Sequence, residues 1–303
     1  MTVMVFCVFS VWKYKYTNYQ PLTLKIVKRI KLKTPLTYWG GKQQMLRYLL
    51  PLVPDHRIYN EPFLGGGALF FAKEPVKIEF INDKNDFLIS FYRILKTRYS
   101  ELKNLIDSTL YSEAEQSKAR DIYAHYQDYT DLERAWAVFV LCGQSIFSIF
   151  SNGWACSITT NKAYTWDKRK QLLCEYYKER LRHVSIFCRD ALRVVKNVDA
   201  PDTFHFLDPP YVNTDMGHYS GYSEHDFENL LELLSTIEGK FLLTSFPCNL
   251  LDAHIERNKW HSLKICLNSS AKKGGRKIEQ ITANYDIRTL LSQIDDIADK
   301  EMP

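Results

Sequence analysis

The chain contains no Cys-x-x-Cys pair, and its seven cysteines (Cys7, Cys142, Cys156, Cys174, Cys188, Cys248 and Cys266) are scattered and odd in number. That argues against a disulfide framework or a zinc site, so no metal is expected, and it fits reduced, mostly buried thiols in a cytoplasm. Residues 1–12 are apolar but too short to span a bilayer, and they lack a basic leader and a small-residue cleavage site. No Walker loop is present: Gly40-Gly41-Lys42 lacks the upstream glycine, and Gln43 stands where Ser or Thr would follow the lysine. The dinucleotide fingerprint is missing too, because Phe70 occupies the position of its third glycine. Internal repeats and low-complexity segments are absent. A large charge imbalance is also lacking; the formal charge of +5 over 303 residues permits nucleic-acid binding without demanding it.

The remaining composition, 46% apolar and 25% charged, is that of an ordinary globular protein with room for a sizeable core. Residues 203–207 (Thr-Phe-His-Phe-Leu) read as a buried strand that delivers Asp208 to its carboxyl end, where Pro209 and Pro210 stop further pairing. Open α/β sheets bind ligands just outside the carboxyl ends of their strands. An ionised Asp208 and the carbonyl of Pro209 are pure acceptors that suit the two hydrogens of a planar exocyclic amine. Tyr211 offers a face for a flat base. Alone, the motif is equally a rigid turn after a strand.

Residues 57–61 form a second candidate strand, leading into Glu61-Pro62-Phe63-Leu64-Gly65-Gly66-Gly67 and then a helix start. Glycines there let backbone N–H groups approach a ligand closely. A third strand, residues 77–81, ends near Asp83, 18 positions after Gly65 and close to the spacing at which an acid reaches ribose hydroxyls. The pair favours a nucleoside-bearing cofactor. Further strands are expected at 184–188, 203–207, 240–245, 263–267 and 280–285, with the last two permitting an antiparallel edge hairpin.

Between the strand at 77–81, second in chain order, and the rest, residues 87–105, 113–126, 132–142 and 167–181 carry helical periodicity. A polar-aromatic loop, Ser151-Asn152-Gly153-Trp154 through Trp166, lies among them and is followed by Lys168, Arg169 and Lys170. Cations interleaved with aromatics suit nucleic-acid contact, with Asn152, Trp154, Lys168 and Arg169 as candidates. Lys272, Lys273 and Arg276 form a second basic candidate segment, equally readable as a solvated loop. Residues 1–33, with a basic run from Lys25 to Lys33, read as an extension outside the fold.

The ordered set Tyr38-x-Gly40-Gly41-Lys42, Glu61-Pro62-Phe63-x-Gly65-x-Gly67, Asp83-x-Asn85 and Asp208-Pro209-Pro210-Tyr211 resembles the Dam-type (D12 class, alpha group) DNA adenine N6-methyltransferases, over residues 34–287. The resemblance implies an α/β, Rossmann-like seven-stranded methyltransferase sheet with an inserted, mainly helical target-recognition domain. The implied boundaries are 34–86 and 184–290 for the catalytic parts, 87–183 for the insertion and 291–303 for a tail. It further implies transfer of a methyl group from S-adenosylmethionine to a flipped-out adenine in double-stranded DNA, at a specific site. By motif, Tyr38, Lys42, Glu61, Pro62, Phe63, Gly65, Gly67, Asp83, Asp190 and Asp208 would contact the cofactor. Within that set, Asp83 would take the ribose and Asp190 the adenine. Asp208, Pro209, Pro210 and Tyr211 would hold and stack the target base. Arg276 and Glu279 resemble a DNA-facing stretch. A monomer is the default expectation, and a restriction endonuclease companion is compatible with the family.

Two features depart from the pattern. Trp39 stands where a small residue is common, and the insertion lacks the Arg-Tyr-Asn-type signature of members that read GATC, so GATC specificity is not transferred. Competing readings are an amino-methyltransferase for cytosine N4, RNA or protein glutamine, and a catalytically silent nucleic-acid-binding protein with the same fold.

Overall fold

The computed structural model describes residues 33–211, 221–268 and 276–288. Seven strands form one sheet: β1 (Ile58–Glu61), β2 (Ile78–Asn82), β3 (Val184–Phe187), β4 (Thr203–Leu207), β5 (Lys240–Ser245), β6 (His261–Asn268) and β7 (Arg276–Ala283). Their spatial order is β3-β2-β1-β4-β5-β7-β6. The first five are parallel, while β7 runs antiparallel to both β5 and β6. The edge hairpin is therefore present, but β7 inserts between β5 and β6 rather than extending the sheet outward. A period-2 pattern marks a strand without naming its neighbour.

Strand order reverses between β1 and β4, the two strands that carry Glu61 and Asp208 at their carboxyl ends. Such a switch point is where loops on adjacent strands part and leave a crevice. Every residue of β1 and β4 is buried, as expected for central parallel strands covered on both faces. Two of their polar members pair with each other: Asn60 and His205 are in register and hydrogen-bonded at 2.9 Å, and His205 also meets Asp199 at 3.2 Å.

One face of the sheet is covered by α9 (Ala191–Val198), α10 (Glu224–Leu234) and α11 (Asn249–Asn258), through Val195, Phe227, Leu230, Leu231 and Leu251. A capping box at Ser223 and Asp226 starts α10. On the other side, α1 (Leu46–Leu49) and α2 (Ala68–Ala72) share a continuous core with the helices between β2 and β3. Those are α3 (Asp86–Thr97), α4 (Tyr99–Ser108), α5 (Glu113–Ala124), α6 (Asp131–Gln144), α7 (Lys162–Leu172) and α8 (Glu175–Leu181). The centre of this bundle is α6, buried without interruption from Ala135 to Cys142.

Two helices expected to be continuous are broken. Arg98 has φ −133° and ψ 40°, which divides 87–105 into α3 and α4. The break lets α4 turn Leu102 and Ile106 into the same core. Residues 167–181 divide likewise at Leu173 and Cys174, which are extended, with Leu173 fully buried. A break of one or two residues interrupts the apolar pattern too briefly for the pattern alone to show it. Residues 43–50 form one turn of α-helix between two short 3₁₀ turns rather than a single helix.

The bundle is tied to the sheet by buried ions. Arg180 of α8 donates two hydrogen bonds to Glu79 of β2 and one to the carbonyl of Phe70, and Lys73 meets Glu79 at 2.6 Å. Among the described residues, no helix is long and apolar enough to cross a membrane.

Candidate active site

The glycine turn after β1 is held from both sides. Gly65 and Gly67 adopt positive φ (48° and 66°), a region open to glycine at little steric cost. A Cβ at Gly67 would also come within 3.0 Å of the Phe71 ring, so this position excludes a side chain twice over. Asp83 accepts from the N–H of Gly65 and from that of Asn85, each at 3.0 Å. From α3, the Tyr92 hydroxyl donates to the Gly65 carbonyl at 2.7 Å. Asn82 bridges the neighbouring loops, with its amide nitrogen on the carbonyls of Pro62 and Arg189 and its oxygen on the Arg189 N–H.

Asp83, expected at a ribose, is only 3% exposed, with one oxygen on the Gly65 N–H of the turn and the other on the Asn85 N–H that opens α3. Burial raises its pKa to about 6, and the two N–H donors pull the other way. The 18-residue spacing does measure the distance from glycine turn to acid, but the acid's partner is the turn itself. Tyr92 and Asn82 were missed because nothing in their local sequence separates them from core positions.

Lys42 and Asp208, 166 positions apart, meet at this edge. The Lys42 ammonium lies 2.7 and 2.8 Å from the two Asp208 oxygens and donates to the Gly40 carbonyl at 3.0 Å. Gly40 takes a φ of 75°, which turns the chain back so that the lysine can reach. Tyr38 is buried, with its ring edge-on to Phe150 of the helical segment, and Trp39 packs against Phe147 in the same manner. The bulky residue at position 39 thus joins the glycine loop to the inserted helices.

Asp208 also accepts from Thr244 Oγ1 at 2.8 Å. Burial pushes its pKa upward, opposed by the adjacent Lys42 ammonium and by the Thr244 hydroxyl. Pro209, Pro210 and Tyr211 line a cavity of about 280 Å³ together with Phe227, Ser245 and Phe246. Tyr211 packs against Phe246, ring centroids 4.4 Å apart, and Lys42 lies 4.9 Å from the Tyr211 ring centre. Ser245 Oγ is buried with no hydrogen-bond partner among the described residues. Thr244, Ser245 and Phe246 were missed by sequence reasoning, although they end a correctly read strand beside β4.

Glu61, at the end of β1, is 2% exposed. It accepts from the Tyr59 hydroxyl at 2.5 Å. Burial raises its pKa to about 8; Tyr59 and Lys73 oppose the rise and Asp208 adds to it. A carboxyl so desolvated favours its charged form only when a cation joins it. Phe63 lies edge-on to Tyr222, whose hydroxyl is buried without a partner among the described residues. Asp190 is exposed and caps α9 by accepting from the Arg193 N–H.

The candidate DNA contacts separate into two kinds. Lys168 is exposed and stands 4.4 Å above the Tyr164 ring, a surface cation–aromatic pair. Asn152 and Trp154 brace their own loop: Asn152 donates to the Ile146 carbonyl, its carbonyl accepts from Gln116, and Trp154 packs on Tyr111. Arg169 is half-buried, and its guanidinium donates inward to the Cys142 carbonyl at 2.6 Å, near the end of α6. Arg276 opens β7, and Lys272 and Lys273 lie outside the described residues.

A family model for D12 class N6 adenine-specific DNA methyltransferases matches residues 38–264, which span the glycine loop, the glycine turn, the inserted helices and β4. The chain belongs to that family. This methyltransferase is 27% identical over 278 residues to the type II methyltransferase M1.LlaDCHI of Lactococcus lactis subsp. cremoris, covering 83% of this chain and 95% of the relative. It is 26% identical to the type II methyltransferase M.MjaIII of Methanocaldococcus jannaschii, over 66% of this chain and 76% of the relative. It is also 28% identical to the DNA N-6-adenine-methyltransferase of Escherichia phage P1, over 62% of this chain and 25% of that longer protein. The enzyme is a site-specific DNA adenine methyltransferase, and its family implies S-adenosylmethionine as methyl donor.

Proposed function

We propose that Asp208 and the Pro209 carbonyl hold the exocyclic amine of an adenine turned out of the duplex, with Tyr211 as the stacking wall. The observation that carries this is the position of the Asp208 carboxylate. It sits at the strand-order reversal, paired with Lys42 and beside a cavity walled by Pro209, Pro210, Tyr211, Ser245 and Phe246. Turning a base out costs a few kcal/mol. Stacking on an aromatic wall offsets roughly 1–3 kcal/mol of that. By accepting the amine hydrogens, an ionised Asp208 and the Pro209 carbonyl draw the nitrogen lone pair out of conjugation with the ring, which leaves it free to attack.

S-adenosylmethionine, when bound, supplies a methyl group on a positively charged sulfur. The residues present suit such a cofactor: Glu61 is a buried acid with a raised pKa, and Tyr222 presents a buried hydroxyl with no partner among the described residues. We assign Glu61, Pro62, Phe63 and the N–H groups of the Gly65–Gly67 turn to its methionine end, with Tyr38 and Lys42 at the rim. Tyr222 and Asp190 are assigned to its nucleoside end. Asp83 supports the turn from behind. The chain's contribution to rate is then placement of the amine nitrogen in line with the methyl group, in a site shielded from water.

We assign residues 87–183 to target reading, with Lys168 and the segment that includes Lys272, Lys273 and Arg276 toward phosphate. A type II modification system with an endonuclease companion fits the names of the relatives. Expression in a methylation-free bacterial host, followed by single-molecule sequencing, tests the whole reading. N6-methyladenine confined to one sequence context is expected; N4-methylcytosine, or unmodified DNA from soluble enzyme, overturns it.

The pH dependence gives a second test. Asp208 acts ionised, burial raises its pKa and Lys42 opposes that rise. Lys42→Met therefore moves the acid limb of kcat upward by about one pH unit or more at saturating cofactor, as loss of a close opposite charge does. An acid limb that stays in place would assign the charge control elsewhere.

A further inference from the structure

The Tyr211 hydroxyl has one proton and two carboxylates within range. Tyr211 Oη lies 2.6 Å from Glu279 Oε2 and 3.5 Å from Asp208 Oδ1. For O–H···O contacts the first distance is a strong hydrogen bond, and the second is too long to be one. The proton therefore goes to Glu279. That residue is fully buried on β7, next to Gln280, which pairs with Ser245 at the end of β5. Its other oxygen is met by the half-exposed Lys277 ammonium at 2.5 Å. Expected in a DNA-facing stretch, the Glu279 carboxylate instead faces the active-site tyrosine.

Asp208 already accepts from Lys42 and from Thr244. Each further donor stabilises the ionised carboxylate and weakens it as an acceptor for the next. A phenol turned toward Asp208 would take the place that a substrate amine needs.

We propose that Glu279 is a positioning residue that draws the phenolic proton of Tyr211 away from Asp208, keeping an Asp208 oxygen open for the adenine amine and fixing the Tyr211 ring at the cavity wall. Lys277 balances the added negative charge, so two like-charged carboxylates sit close together, each with its own lysine. This rests on the reading of Asp208 and Tyr211 given above. It adds a third acid, contributed by a strand more than sixty positions further along, that nucleic acid need never touch.

The test is a rescue experiment on the full-length enzyme, measuring single-turnover methyl transfer and the KM for a duplex substrate. Glu279→Leu removes the acceptor at similar bulk, and kcat is expected to fall about tenfold, the scale of one misdirected hydrogen bond. The KM for DNA should change little. Adding Tyr211→Phe to the same chain removes the competing proton, so the double variant should run at the rate of Tyr211→Phe measured alone, with no further loss from Glu279→Leu. A double variant about tenfold slower than Tyr211→Phe alone overturns the proposal, because a residue needed only for packing would cost as much with the phenol gone. Should Glu279→Leu not fold, Glu279→Gln keeps bulk and a weaker acceptor; its smaller loss must be erased by Tyr211→Phe in the same manner. Asp208→Ala run alongside separates the two levels. An active Asp208→Ala enzyme sinks the parent reading, whereas an inactive one with no rescue at Glu279 sinks this inference alone.

Discussion

Asp208→Ala is expected to lower the single-turnover rate of adenine methylation by about three orders of magnitude, the scale of removing a group that acts on the reacting atoms. Asp208 is the only carboxylate among the described residues that follows β4 into the Pro-Pro-Tyr turn and meets Lys42. Losing it removes the acceptor for the amine and leaves the buried Lys42 ammonium with the Gly40 carbonyl. Cofactor affinity measured by calorimetry should change far less, because the glycine turn, Glu61 and Phe63 stay in place on β1. Asp208→Asn is the informative companion: it keeps an acceptor oxygen and the shape but loses the charge, so it should recover little of the rate. A variant that methylates at the original rate would remove Asp208 from the chemistry.

The second large effect is on stability. Glu79→Ala is expected to cost roughly 3–5 kcal/mol, because it leaves two buried cations without their shared anion. The side chains of Glu79, Lys73 and Arg180 are all under 5% exposed, so water screens this loss very little. Burial by itself would raise the pKa of Glu79, but the Arg180 hydrogen bonds and the Lys73 ammonium outweigh it and hold the group below its ordinary value. The sign follows from linkage. Stability from Glu79 is complete above its ordinary pKa of 4.5 and is lost as pH falls through the depressed native value. The variant should therefore lose its deficit relative to the unaltered enzyme in strong acid. Chemical denaturation at pH 7 and at pH 3 checks both points; equal deficits at the two pH values would contradict the ion-triad account. Replacing all three by apolar residues of similar volume should cost much less than Glu79→Ala, since the desolvation penalty leaves with the charges.

These expectations show where sequence reasoning reached and where it stopped. Residues 203–207 and 240–245 were read to the residue, because a central strand bounded by Asp-Pro-Pro or by a glycine has sharp chemical edges. The glycine turn was legible for the same reason: three consecutive glycines after a strand leave few other uses. Asp83 was found by spacing, but its bonds to the Gly65 and Asn85 N–H groups were not, since a spacing rule locates an acid without showing what its oxygens accept. Arg169 was grouped with the surface cations by its neighbours along the chain, whereas the turn of α7 brings it inward to Cys142.

The sequence by itself determined the chemistry on offer: an acid before two prolines, a glycine turn behind another acid, a lysine after two glycines, and a helical segment between strands. Those are local facts, and side-chain type and order along the chain suffice to state them. Only the tertiary structure decided which groups share a site. Lys42 meets Asp208 because the strand order reverses between β1 and β4, and Glu279 meets Tyr211 because β7 inserts beside β5. Pairings of that kind depend on sheet order and register, which a strand's own alternation does not encode.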